Sequence, residues 1–122
     1  MELERIGEVL AKAMGWRKGM GHVRSDQESA PAWRDSGLLG KTQCLRCNWH
    51  PWESWPQAGK VIEEMRARGW RWHVKDCWDG LVRVELSHDS GKSTREEAAT
   101  EIEARMLCAA RALESEAADE QA

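Results

Sequence analysis

The chain has 122 residues, 41% of them hydrophobic and 32% charged, with a formal net charge of −3, which fits one globular domain with a modest core of its own. A protein that binds nucleic acid mainly by neutralising phosphates would be far more basic. No apolar run approaches the roughly 18 residues that a membrane span needs.

The N-terminus, MELERIGEVL, has no basic n-region and no signal-like apolar core. A cytosolic location is therefore expected. The four cysteines are then expected to be reduced, so metal binding or burial outranks disulfides. Eight Trp with no Phe and no Tyr means that Trp supplies all large aromatic packing. Charge is unevenly placed: nine basic and seven acidic residues over 41–92 are followed by three basic and eight acidic over 93–122.

In chain order, residues 2–14 predict a helix with Leu3, Ile6, Leu10, Ala13 and Met14 on one face and Gly15 as its stop. Trp16 to Arg24 reads as a strand weakened by Gly19 and Gly21, Ser25 to Pro31 as a polar loop, and Ala32 to Arg34 as a short strand before an Asp35-Ser36-Gly37 turn. Residues 38–53 carry little pattern beyond CLRC and a Trp-rich turn. Ser54 and Gln57 form a capping box for a helix over 55–68, with Pro56 in its first turn and Gly69 as its C′ residue. Trp70 to Asp76 alternates apolar and basic as a half-buried strand does. Trp78-Asp79-Gly80 is a hairpin turn, and Leu81 to Ser87 is the return strand, with Val82, Val84 and Leu86 on one face. After a turn at 88–91, Ser93 and Glu96 read as a second capping box, opening a long helix to about Leu113. That helix has a main apolar stripe (Ala98, Ile102, Met106, Ala109, Ala110, Leu113) and a smaller one (Ala104, Leu107, Cys108), so it is expected to be buried on two sides, against the first helix or another subunit.

These elements predict an α+β fold, a small antiparallel sheet sandwiched by helices in a single domain over 1–114, with an acidic frayed tail over 115–122. The helix ending in Met14-Gly15-Trp16, the segment VIEEMRARGW (61–70), the strand hairpin and the Cys-containing, Ala-rich MLCAARAL (106–113) together resemble the small phage and prophage proteins of the phage ABA sandwich domain type. The resemblance implies an α-β-α sandwich encoded by a phage and acting in the host cytosol. It implies no catalytic residue. CLRCNWH (44–50) lies outside the shared pattern.

Three groups of residues could carry function. Cys44-x-x-Cys47-x-x-His50 has half of a zinc knuckle's spacing, with Cys77 or His73 as candidates to complete a structural Zn site; the competing reading is a Gly-flanked turn with one buried and one exposed thiol. Trp16-Arg17, Trp33-Arg34 and Trp70-Arg71 repeat a Trp-Arg pair, joined by Lys18, His73 and Lys75. On adjacent strands they would set indoles on one face and cations on the other, a pocket for an anionic aromatic ligand. The competing reading is a Trp face packed under helices and a solvated Arg face. Finally, Trp49, Trp52 and Trp55 crowd one turn, which suits either a partner surface or a hydrophobic staple on the following helix.

Catalysis finds no support: a phosphate loop, HExxH and GxSxG are all missing from the sequence, and His50 with Cys47 or Glu53 is not a positioned pair. The expectation is a non-enzymatic, phage-encoded binding protein with no cofactor beyond zinc. Through the resemblance, it would serve in counter-defence by sequestering a nucleotide-like host signalling molecule or inhibiting a host protein. The alternatives are a zinc-stabilised interaction module using the Trp turn, and a nucleic-acid accessory protein, which the acidic C-terminal helix counts against. A homo-oligomer joined through that helix is also expected.

Overall fold

A computed structural model describes residues 2–22, 29–35, 42–76 and 79–120. Its elements are α1 (Leu3–Ala13), β1 (Trp16–His22), β2 (Ser29–Asp35), β3 (Thr42–Leu45), a 3₁₀ turn (Arg46–Asn48), α2 (Trp55–Ala67), β4 (Trp70–Asp76), β5 (Val82–His88), β6 (Ser93–Ala98) and α3 (Glu101–Glu120). The fold is α+β, as expected. Its strands divide into two three-stranded antiparallel sheets, an N-terminal one in the order β1-β2-β3 and a C-terminal one in the order β4-β5-β6.

The local chemistry that starts and stops α2 is largely the predicted one. Ser54 Oγ accepts from Gln57 N at 3.4 Å, Pro56 sits in the first turn, and Gly69 leaves the helix at φ 93°. Gln57 does not close the box, however. Its side chain turns back to the preceding turn, with Oε1 accepting from His50 N at 2.8 Å and Nε2 donating to Asn48 O at 2.6 Å.

The largest correction concerns residues 93–100. Ser93 and Glu96 do not cap a helix; they lie in β6, paired to β5 through Ser87↔Ser93 and Val84↔Glu96. The turn at Gly91 (φ 95°) joins two alternating segments. Their outer residues match in charge: Arg83 Nε donates to Glu97 at 2.7 Å and Arg95 to Glu85 at 3.3 Å. The helix starts later, where Thr100 Oγ1 accepts from Glu103 N at 3.2 Å. Pro31 and Ser29, expected in a loop, belong to β2, whereas residues 23–28 and the Ser36-Gly37 part of the predicted turn lie outside the described residues.

α3 is buried on two sides, as its pattern requires. Cys108 Sγ reaches the Val84 and Thr94 carbonyls of the C-terminal sheet at 3.5 and 3.4 Å, and Arg111 pairs with Glu96 of β6. On its other side α3 packs against α1 and α2. The smaller stripe therefore meets a sheet of the same chain, and the core formed by Ile6, Leu10, Val61, Met65, Val84, Leu86, Ile102 and Met106 runs through both sides. The helix also runs past its expected end at about Leu113, because α3 continues to Glu120. Glu116 binds Trp70 Nε1 at 2.7 Å and Arg68 at 2.8 Å. Arg68 in addition donates to the Ala13 carbonyl at 3.2 Å, so the ends of α1, α2 and α3 meet at one guanidinium. Among the described residues no helix is long and apolar enough to cross a membrane.

Candidate functional site

A cleft of about 810 Å³ lies between α1, the β1–β2 pair and the 46–53 turn. Its size lies in the range of small-molecule sites. The Trp-rich turn becomes a wall of this cleft because three contacts pin it. Gln57 holds the Asn48–His50 backbone. Trp49 is buried and donates Nε1 to the Gly7 carbonyl at 2.8 Å, while its ring meets Trp16 edge-on with centroids 4.9 Å apart. Trp52 lies against Gly7: a Cβ placed there would come within 3.2 Å of Trp52 Cζ3 and 3.6 Å of Trp49 Cδ1. Glycine at position 7 is what lets two indoles approach one helix.

Trp33 and Trp49, about 4% and 5% exposed, form the floor of the cleft. Trp52, half-buried, offers the more open ring. The polar rim is mixed. Lys18 is held by Glu8 at 3.1 Å, and Lys12 shares the same carboxylate. Hydrogen bonds from Lys12 and Lys18 keep the Glu8 carboxyl below the usual carboxylate range. Arg46 has no ion pair among the described residues and lines the mouth with Glu4 and Glu53. His50 also lines the cleft, and its Nδ1 is buried with no hydrogen-bond partner among the described residues, an uncommon condition for a buried polar atom.

The predicted Trp-Arg residues do not share one pocket. Register pairs Arg17 with Arg34 on one face of the N-terminal sheet and places Trp16 and Trp33 on the other, so indoles and guanidiniums do separate by face, with Lys18 alone of the cations on the indole side. Arg34 Nη1 donates to the Met20 carbonyl at 2.8 Å, and its side chain lies over Gly19. Trp70 and Arg71 belong to the other sheet. There Trp70 is buried on Glu116, and Arg71 pairs with Asp89 at 3.0 Å on the surface. Of the turn, Trp55 is 52% exposed at the start of α2 and takes no part in the cleft.

Of the candidate zinc ligands, Cys47 and His50 both line the cleft, whereas Cys44 and His73 do not. Cys44 Sγ donates to the Leu45 carbonyl at 3.3 Å, and burial raises its pKa. Cys47 is exposed with Sγ toward Asn48 Oδ1 at 3.8 Å. His73 lies on β4 beside Ser87, and Cys77 lies outside the described residues. Among the described residues no three metal-type side chains converge. The sequence marks Leu3 only as part of the apolar face of the first helix and gives Gly7, Glu4, Glu8 and Arg46 no place among the candidate site residues. Only Gly7 carried a signal, a glycine inside an amphipathic helix, which marks a close approach.

No family model matches the chain, and neither a curated protein nor a solved structure does.

Proposed function

We propose that the chain is a non-enzymatic binding protein whose ligand is a small planar ring compound carrying a negative charge, held in the cleft between α1, β1–β2 and the 46–53 turn. The observation that carries this reading is the convergence of Trp33, Trp49 and Trp52 on a cavity of ligand size with Arg46 at its mouth. Rings stack on indoles with little dependence on their identity, and a free guanidinium takes an oxyanion. A mononucleotide-like molecule has both parts. Within a phage counter-defence role, which rests on the family resemblance alone, the ligand would be a host signalling nucleotide removed by sequestration.

Calorimetric titration with the four common nucleoside monophosphates tests the reading. Saturable binding of at least one is expected. Trp52→Leu and Arg46→Ala should each weaken it about tenfold, while Trp55→Ala, outside the cleft, leaves it unchanged. Silence from all four, or binding that survives both cleft substitutions, would overturn it.

A further inference from the structure

The outer face of the C-terminal sheet, turned away from α3, is a second place where the sequence concentrates charge. Register sets Arg71, His73 and Lys75 of β4 beside Ser87, Glu85 and Arg83 of β5, and these beside Ser93, Arg95 and Glu97 of β6. His73, Lys75, Arg83, Glu85 and Arg95 enclose a shallow groove of about 250 Å³. Lys75 and Arg83 stand directly opposite one another, an arrangement that is unfavourable for like charges on adjacent strands. Arg83 is bonded to Glu97 and Arg95 to Glu85, but Lys75 has no carboxylate partner among the described residues, and His73, opposite Glu85, is within 3.3 Å of the Ser87 hydroxyl. The groove thus holds a local cation surplus in a chain whose net charge is −3.

We infer that this groove binds a phosphate group, bridged between Lys75 and Arg83 with His73 and Arg95 at its sides. An oxyanion there would give Lys75 a charge-assisted bond and offset the like charges that Lys75 and Arg83 bring together, with Arg83 keeping its bond to Glu97. The acidic balance of the whole chain favours a small phosphate-bearing molecule over a polymer, since a long polyanion would also meet the acidic remainder. The site is separate from the cleft and does not depend on the ligand proposed there.

Pyrophosphate has no ring to stack on the cleft's indoles, so residue-resolved shifts distinguish this site from Arg46 of the cleft. In amide NMR at constant ionic strength, saturable shifts are expected at residues 73, 75, 83 and 95, with Lys12 and Lys60 unmoved. Lys75→Ala with Arg83→Gln should weaken binding about tenfold or more, and Trp52→Leu should leave it intact. A ten-nucleotide single strand added under the same conditions decides the source: affinity no greater than that of pyrophosphate fits a small molecule, and tighter, steeply salt-dependent binding at these residues would overturn that choice in favour of a polymer. Shifts spread over all exposed lysines, or no shifts, would overturn the site itself.

Discussion

The Trp49 indole donates to the Gly7 carbonyl at 2.8 Å across forty-two residues of sequence, and this bond is the polar tie between the Trp-rich turn and α1, beside the packing of Trp52 on Gly7. Trp49→Phe keeps most of the ring and removes the donor. A loss of about 1–2 kcal/mol in urea unfolding is expected, together with weaker ligand binding because the cleft wall loosens. Unchanged stability would show that the bond is not what seats the turn.

Gln57 is expected to matter more than a cap residue would. Its side chain serves the His50 N–H and the Asn48 carbonyl at once, so Gln57→Ala should cost about 1–3 kcal/mol, whereas Ser54→Ala should cost about 1. Gln57→Glu keeps the acceptor for His50 but loses the donor for Asn48, and its stability should fall between wild type and Gln57→Ala. Denaturant midpoints at a common m-value order the three; a ranking with Ser54→Ala as the worst would contradict the assignment.

The last turns of α3 belong to the domain. Glu116 accepts from both Trp70 and Arg68, and Arg68 also reaches α1. Glu116→Ala is predicted to lower stability by about 1–3 kcal/mol, and deletion of residues 115–122 by at least as much. Circular-dichroism melts check this: a truncated chain melting with the full one would support the frayed-tail reading.

Cys108 supplies a pH prediction. Burial pushes its thiol from 9.0 to about 12. A raised folded value means the stabilisation is complete below the unfolded pKa of 9.0 and is lost as pH climbs toward 12, up to about 4 kcal/mol over that interval. Urea unfolding at successive pH values above 9 should therefore show a falling stability, and Cys108→Ala should flatten the fall. Equal slopes in the two proteins would assign alkaline unfolding to other groups.

How much was legible depended on whether a signal was local. The α2 start and stop, the β4–β5 hairpin and the two-sided α3 were readable because each is set by residues within a few positions: Ser54 and Gly69, the Asp79-Gly80 turn, the stripes of 102–113. β6 was misread because Ser93-x-x-Glu96 matches a capping box as well as it matches a strand, and only pairing with Arg83 and Glu85 decides between them. The Trp-Arg repeat predicted the separation of faces within each sheet but not that Trp70 and Trp33 belong to different sheets. The cleft joins α1 to a turn more than forty residues away, a relationship that no periodicity encodes.

Native mass spectrometry of the freshly purified, undialysed protein tests the central claim most directly, with Trp52→Leu prepared in parallel. The wild-type spectrum is predicted to show, besides the 13.9 kDa chain, a species heavier by the few hundred daltons of a ring-bearing anionic compound, and the Trp52→Leu spectrum to lack it. Two identical spectra, both at bare mass or both carrying the same adduct, would contradict a ligand held in the tryptophan cleft.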